Sequence, residues 1–341
     1  MNTHYDAAVL IGRFQPFHRG HAALLARALQ SASRVLLVLG SAHQARNAKN
    51  PFTWEERAAM IAATLDEVDA ARVDFIPMRD YYDDSRWAAA VEQAVQARLG
   101  PAPARVALVG YHKDASSHYL QRFPRWYFVD LGRQGEVDAT AIRQIYFEGE
   151  HPGATLALLG GLVPEAVAHY LKGWSRLPAY AAMAAEHGAI EAYRKTWGSG
   201  PFVTVDAVVT AAGHVLLIRR GRSPGQGQWA VPGGFLDGRE RVLQGAIREL
   251  REETELGTLD SSLEGALKGV AVFDHPDRSQ RGRIITHAHW FALDTDRLPD
   301  VTGADDAAEA RWVPVAELAG MEGQFFEDHF HILNHFLGLV G

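Results

Sequence analysis

Between residues 7 and 135, short runs that are apolar at every position alternate with stretches whose apolar residues recur every three or four places. The runs at 7–11, 35–39, 73–76, 106–109 and 126–130 read as strands, and 21–32, 54–65 and 86–99 as helices. Strands that are apolar throughout and separated by helices predict a parallel sheet covered on both faces. The first part of the chain is therefore expected to be a doubly wound, Rossmann-like α/β domain with ligands at the carboxyl ends of its strands. Residues 150–198 hold helical patterns without a strand candidate, and Gly198-Ser199-Gly200-Pro201 is a turn-rich joint. Beyond it the pattern changes. Strands are expected at 203–210 and 215–219 around an Ala212-Gly213 turn, then at 268–273 and 284–292, with a closing helix at 326–337. A Gly-rich loop and one strongly patterned helix lie between, which predicts an α/β sandwich on a mixed sheet. The expected division is 1–180 for the first domain, 181–200 for a connecting segment and 201–341 for the second domain. No internal repeat is seen.

Length and composition fit this division. The chain has 341 residues, 47% hydrophobic and 22% charged, enough for two ordinary soluble domains. It has no cysteine, which excludes disulfides, zinc–thiolate sites and cysteine nucleophiles. A formal net charge of -7 argues against broad binding to nucleic acid. No apolar run is long enough to span a bilayer, and the first residues lack the pattern of a secretory signal, so a cytoplasmic protein is expected.

The first candidate site is Gly12-Arg13-Phe14-Gln15-Pro16-Phe17-His18-Arg19-Gly20-His21, between the first strand and the first helix. A loop there aims backbone N–H groups and the positive helix end at a ligand, which favours phosphate. His18 and His21, three apart, can face the same group. Gly20 lets a phosphate approach the backbone closely, and Arg13 brings a guanidinium fork suited to phosphate oxygens. The string resembles the His-x-Gly-His signature of the nucleotidyltransferase superfamily. Asp138-Ala139-Thr140-Ala141-Ile142-Arg143 resembles that superfamily's downstream Ser/Thr-x-x-x-Arg element, with Ala139 in place of the usual serine. The resemblance implies that Gly12, Arg13, Phe14, Gly20, Thr140 and Arg143 bind ATP phosphates, with His18, His21 and Arg143 catalytic.

The segments between them resemble the archaeal-type nicotinamide mononucleotide adenylyltransferases. They are Gly40-Ser41-Ala42, Arg46, Asn50-Pro51-Phe52-Thr53 with Glu56-Arg57, Trp87 after Asp83-Asp84, and Gly110-Tyr111-His112-Lys113-Asp114. The resemblance implies that Asn50, Phe52, Thr53, Arg57 and Trp87 bind the nicotinamide nucleotide, with Trp87 stacking on the cationic ring. The implied reaction joins ATP and nicotinamide mononucleotide into NAD and pyrophosphate with the help of magnesium. It relies on positioning and charge stabilisation rather than a covalent protein intermediate.

The second candidate site is the stretch from Gly234 to Leu256. Leu243, Ala246, Ile247 and Leu250 form one apolar helical stripe. Glu249, Glu252 and Glu253, at i, i+3 and i+4, cluster on a neighbouring face. Three carboxylates near a helix C-terminus repel one another and oppose the dipole, and a divalent cation would relieve both penalties. Oxygen-only donors point to magnesium or manganese. With Gly234, Glu240 and Arg248 the stretch resembles the Nudix box, except that Glu255 stands where the box has glycine. The resemblance implies metal-assisted attack of water on a diphosphate, with Glu249, Glu252 and Glu253 as metal ligands and Glu252 also the candidate base.

Phe273-Asp274-His275-Pro276, Arg281-Gly282-Arg283, Thr286-His287, Asp305-Asp306-Ala307, Arg311-Trp312, Phe325-Phe326 and Asp328-His329 resemble the ADP-ribose pyrophosphatases associated with NAD enzymes. ADP-ribose would then give AMP and ribose 5-phosphate. The expectation is thus a bifunctional enzyme of NAD metabolism without nucleic-acid or membrane partners, and the family leaves room for a homo-oligomer. Two alternatives stand beside it. In one the second domain acts on another nucleoside diphosphate conjugate or senses a ligand, although all the acidic box residues are kept. In the other the first site takes a different phosphorylated acceptor such as pantetheine phosphate, against which Asn50-Pro51-Phe52-Thr53 and Trp87 argue.

Overall fold

The computed structural model of the chain describes residues 4–102, 104–111, 120–132, 138–149 and 152–340. His112, Lys113 and Asp114 lie outside the described residues. The chain divides into two compact units, Met1–Ala185 and Glu186–Gly341. Among the described residues no helix is long and apolar enough to cross a membrane.

The first unit is built on β1 (Tyr5–Gly12), β2 (Ala32–Leu39), β3 (Val73–Pro77), β4 (Val106–Gly110) and β5 (Tyr127–Asp130). Their order is β3-β2-β1-β4-β5, and every pairing is parallel. The continuous apolar runs have a direct cause. In the central strands, alternate residues enter two different cores and neither face meets water. Ala8, Leu10, Leu37 and Leu39 pack with Leu24, Leu25 and Ala28 of helix α1 (Arg19–Ser31) and with Met60 and Ile61 of α2 (Trp54–Ala62). Val9, Leu36 and Val38 face the other way, onto Val91 and Val95; between β2 and β4 come α3 (Glu67–Ala70) and α4 (Asp84–Leu99), which carries those valines. Helices α5 (Ala139–Glu148), α6 (Pro152–Leu159) and α7 (Glu165–Trp174) follow, and α8 (Pro178–Trp197) begins in the first unit and ends in the second. The sheet order reverses at β1, so the carboxyl end of β1, where the Gly12–His21 loop begins, is where such sheets open a crevice.

The second unit carries β6 (Phe202–Ala211), β7 (His214–Arg220), the short β8 (Trp229–Ala230) and β9 (Gly233–Phe235), then α9 (Val242–Thr254) and α10 (Asp260–Ala266). It closes with β10 (Leu267–Phe273), β11 (Ile284–Ala292), β12 (Ala307–Pro314), a 3-10 segment Val315–Gln324 and α11 (His329–Leu337). The main strand path is β10-β11-β6-β7-β12, with β8 beside β7 and β9 beside β6. β11 and β6 are parallel and the other pairs antiparallel, which makes the sheet mixed. The stripe expected on α9 faces the core: Ile247 and Leu250, with Leu243 partly buried beside them, pack with Ala207, Val209 and Leu216 of the sheet, and Ala246 is buried. The closing helix starts at His329 rather than 326, because Glu327 has a positive φ of 43° that a right-handed helix does not admit. β12 was not expected from the sequence. Ala308, Ala310 and Trp312 do alternate with Glu309 and Arg311, but alanine is a weak strand former and the alternation is faint.

Helix α9 ends at Glu255, whose φ of 50° and ψ of 26° are left-handed. The cap is well made otherwise: Glu255 N–H donates to the Arg251 carbonyl at 2.9 Å, and Thr302 and Ala304 N–H groups take the Thr254 and Glu253 carbonyls. Glycine would hold the same geometry without the Cβ penalty. Glu255→Gly is therefore expected to stabilise the protein by about 1 kcal/mol and to raise Tm without loss of activity. Thermal unfolding followed by calorimetry checks this, and a fall in Tm would contradict it.

Candidate active sites

In the first unit the loop after β1 hands its functional residues to the start of α1. His18 is the N-cap: its ring Nδ1 accepts from Gly20 N–H at 3.2 Å. His21 answers it, with Nδ1 accepting from His18 N–H at 3.4 Å. The two rings stack 3.6 Å apart at 25°, with Phe14 edge-on to His21 at 4.8 Å. Because both Nδ1 atoms accept from backbone, each ring carries its hydrogen on Nε2. Two Nε2 donors thus stand side by side at a helix N-terminus, where an anion is favoured.

Arg143, from α5, donates to the Gln15 carbonyl at 2.8 Å and to Thr140 Oγ1 at 3.2 Å. Burial and the charge of Arg13 push its pKa down to about 10, so it stays cationic at neutral pH. Arg13 itself is exposed, and Asp138 caps α5 through Thr140 N–H at 2.6 Å. Two sets of bonds thus shape this end of the sheet: one ties His18 to His21, and the other ties Arg143 to Thr140 and to Gln15 of the same loop as the histidines.

The segment read as the acceptor's binding surface divides into two kinds of residue. Phe52, Thr53 and Arg57 turn their side chains inward. The Phe52 ring is buried edge-on to Trp174 at 4.8 Å, and its backbone N–H and C=O pair with both atoms of the Gln15 amide. Thr53 forms a capping box with Glu56, whose carboxylate also takes Arg46 and the Trp174 indole. Arg57 is 0% exposed and donates to the carbonyls of Thr53, Arg13, Gly40 and Ser41. These residues shape the loops.

Asn50 differs. Asp80 accepts from Ser41 Oγ and from Gln44 Nε2, which turns Gln44 Oε1 toward Asn50 Nδ2 at 3.3 Å. That chain fixes the Asn50 amide and leaves its Oδ1 as a buried acceptor with no hydrogen-bond donor. Such an atom calls for a donor from outside the chain. Trp87 is half-buried on α4, edge-on to Phe123 at 6.0 Å.

In the second unit the carboxylates surround an arginine. Arg248 donates to both oxygens of Glu240 at 2.7 and 3.0 Å, to Glu249 at 2.8 Å, to Glu252 at 2.9 Å and to the Phe235 carbonyl at 3.1 Å. Glu253 is buried and accepts from Gly233 N–H at 2.9 Å. Gly234 admits the Glu249 carboxyl: a methyl group there would stand 2.5 Å from its carboxyl carbon. Burial, with the nearby charges of Glu249 and Asp206, pushes the Glu253 carboxyl up to about 8. Burial likewise raises Glu249, with Glu252 and Asp305 adding to the effect.

Among the described residues no group of three or more His, Asp or Glu side chains is arranged to hold a metal ion. Arg248 holds Glu249 and Glu252 in another pairing, while Glu253 lies on the Gly233 backbone. The donor set still fits a divalent cation: all donors are carboxylate oxygens, and two of them bear a desolvation and repulsion penalty that a positive ion removes.

Beside Gly233 and Gly234 lies a cleft lined by Asp206, Arg220, Phe235, Arg278, Arg281, Phe326, Glu327 and His329 among others. Asp206 is buried, accepts from Thr286 Oγ1 at 2.6 Å, and is raised to about 6 by its burial. Arg278 and Asp328 form a buried two-point ion pair at 2.8 Å. Arg220 stacks on Phe326 at 4.2 Å and Arg281 at 5.4 Å. Arg281, Thr286, Phe326, Asp328 and His329, singled out in the sequence, all lie in or under this cleft. Asp274, His275 and Arg311 do not line it, and Arg311 instead covers Trp229 at 4.9 Å. Sequence reasoning missed Arg220, Asp206 and Phe235, which sit in ordinary strand contexts without a local motif.

Residues 9–145 match the cytidylyltransferase-like family and residues 200–336 the NUDIX domain family. The nicotinamide/nicotinic acid mononucleotide adenylyltransferase of Acinetobacter baylyi is 40% identical over 169 residues, 49% of this chain and 86% of that protein. The ADP-ribose pyrophosphatase of Methanocaldococcus jannaschii is 36% identical over 118 residues, 35% of this chain and 64% of that protein. The crystal structure of a bifunctional NMN adenylyltransferase/ADP ribose pyrophosphatase from Francisella tularensis superposes with a TM-score of 0.88 at 33% identity, covering 98% of this chain and 99% of that one. A second structure of that bifunctional protein, complexed with AMP and a manganese ion, gives the same TM-score at 32% identity over 99% of this chain and 100% of that one. This chain belongs to the family of bifunctional NMN adenylyltransferase/ADP-ribose pyrophosphatase proteins, which join a cytidylyltransferase-like domain to a Nudix domain.

Proposed function

We propose that the chain makes NAD from ATP and nicotinamide mononucleotide in its first unit and hydrolyses ADP-ribose to AMP and ribose 5-phosphate in its second. The observation that carries the first assignment is the pair of stacked imidazoles at the N-terminus of α1, tied through Gln15 to both Arg143 and the Asn50–Thr53 loop. The phosphate of the mononucleotide attacks the α-phosphorus of ATP, and pyrophosphate leaves. His18 and His21 donate from Nε2 to phosphoryl oxygens whose charge grows in the transition state, and Arg143 adds a fixed positive charge. Arg13 and Thr140 bind the departing phosphates. Asn50 Oδ1 accepts from the carboxamide of the nicotinamide, and Trp87 supplies an aromatic face to the ring.

In the second unit Glu249 and Glu253 would hold the cation, and Glu252, the most exposed of the three, would take the proton of the attacking water. Magnesium or manganese, when bound there, neutralises the diphosphate and acidifies water. Glu240 keeps Arg248 in place, and Gly234 keeps the backbone clear of Glu249. Arg220 and Arg281 offer guanidinium groups to the phosphate oxygens. The same reading places the protein in the cytoplasm.

His18→Ala is expected to lower adenylyl transfer about 10²-fold and leave ADP-ribose hydrolysis unchanged. Glu252→Gln should do the reverse, removing hydrolysis by about 10²- to 10⁴-fold while NAD synthesis continues. Both are checked by following NAD and AMP chromatographically with each variant, and joint loss of both activities in either variant would contradict the assignment. Chelation should abolish hydrolysis and added manganese or magnesium restore it. Because Asn50 Oδ1 only accepts, the amide mononucleotide should show a kcat/KM about tenfold or more above the acid form. Equal values for the two acceptors would remove Asn50 from recognition of the ring substituent.

A further inference from the structure

The second half of α8 lies before the region matched to the NUDIX family, yet it belongs to the second compact unit. Glu186, Ile190, Tyr193 and Arg194 follow one another at i, i+4, i+7 and i+8, which places them on one helix face. Ile190 is buried, and Glu186 is a buried carboxylate on that face. Both Glu186 oxygens accept from Gly225 N–H, at 3.0 and 3.1 Å.

Gly225 lies in the turn that shapes one wall of the cleft. Arg220 donates to the Pro224 carbonyl at 2.9 Å, and its guanidinium lies over Phe326. At Gly225 itself, with φ of 78°, an added Cβ would run into the Phe326 ring. Glu186 therefore holds the turn against which Arg220 and Phe326 are set. Its charge also faces Arg220 and Arg281 on one side and Glu327 on the other.

Two turns further on, Tyr193 stacks on Phe235 at 6.4 Å and 18°, while Arg281 covers both rings at 6.0 and 5.8 Å. Arg194 donates to the Gln280 carbonyl at 2.6 Å, one residue before Arg281. Phe235 and Arg281 line the cleft. One helix face thus braces both guanidinium groups that meet the phosphates and both aromatic rings beside them.

We propose that α8 buttresses the hydrolase pocket from behind its lining, with Glu186 and Tyr193 as positioning residues that set substrate affinity for a nucleoside diphosphate conjugate. Glu186 acts through the Gly225 turn on Arg220 and Phe326. Tyr193 acts through the stack on Phe235 and Arg281. The inference rests on the hydrolase reading of this cleft, and its test keeps the two apart.

The full-length protein is compared with Glu186→Ala, Glu186→Gln, Tyr193→Ala and Tyr193→Phe, using ADP-ribose with manganese. Both alanine variants should raise KM about tenfold with kcat within about twofold, and adenylyl transfer should not change. Glu186→Gln keeps an acceptor for Gly225 and Tyr193→Phe keeps the ring, so both should stay near the wild-type KM. Wild-type KM in the alanine variants, or a lowered Tm with KM unmoved, would overturn the proposal and leave α8 a structural brace. Tyr193→Leu replaces Tyr193→Ala should the latter fail to fold, with the same expected rise. Should the wild type leave ADP-ribose intact, the hydrolase reading fails on its own. Calorimetric binding of ADP-ribose then decides the inference: affinity weakened about tenfold in the alanine variants supports it, and unchanged affinity overturns it.

Discussion

A guanidinium taken out of water must have its donors met, and the first unit is arranged around one that does so without a carboxylate. Arg57 is fully buried, and four backbone carbonyls, one from the loop after β1 and three from the β2–α2 connection, surround it. Burial lowers its pKa to about 10, yet it remains a cation at neutral pH. Leaving any of those carbonyls unpaired in the interior would cost about 1–3 kcal/mol each, so the loops after β1 and β2 and the start of α2 converge on this one side chain. Gln15 repeats the arrangement with an amide: its two ends pair with Phe52 while its own carbonyl accepts from Arg143. The imidazoles, the arginine and Asn50 are therefore held by a backbone that cannot shift one loop without breaking bonds to another. Preorganisation of this kind is what adenylyl transfer requires when the protein supplies position and charge rather than a covalent bond.

The second unit meets the same constraint with the opposite sign. Its Glu-rich helix face would repel itself, and Arg248 draws together Glu240, Glu249 and Glu252 in its place. Glu253 has no such partner and leans on the Gly233 N–H, at the cost of a strongly raised pKa. Arg248 and a divalent ion therefore serve alternative charge balances for one carboxylate set. This explains how a chain can carry three close glutamates through folding before any ion arrives.

How much of this was legible in the sequence depended on how local each feature is. Five parallel strands could be read because double-sided burial writes itself as unbroken apolar runs. β12 was missed, since its apolar face is carried by Ala308 and Ala310 before Trp312, and alanine marks a strand only weakly. β8 and β9, at two and three residues, are too short to carry a period. The histidine pair and the α9 carboxylates are contiguous motifs and stood out. Arg57, Phe52 and Thr53 stood out too, but burial and bonding partners, which only the fold decides, make them supports of the loops. Arg220 and Asp206 gave no local signal, because they reach the cleft from the paired strands β7 and β6, where a polar residue within or at the end of an apolar run marks no motif.

The same reasoning explains why the hydrolase cleft draws on a helix before the matched domain. The charges of Arg220 and Arg281 act on one another, and together with Arg278 they act on buried His329, where burial removes the water that would screen them. Asp328 fully offsets Arg278, and Glu327 takes Arg281 at 3.2 Å. Arg220 has no carboxylate at comparable distance on its own strand; its guanidinium is held by the Pro224 carbonyl and the Phe326 face. Glu186 supplies the acceptor that fixes the Gly225 turn, on which the setting of Arg220 and Phe326 depends. A diphosphate entering the cleft then competes with Glu327 for Arg281, while Arg220 is already aimed. On this view the cleft's affinity is set by how firmly the guanidinium groups are held before the substrate arrives, and α8 does part of that holding.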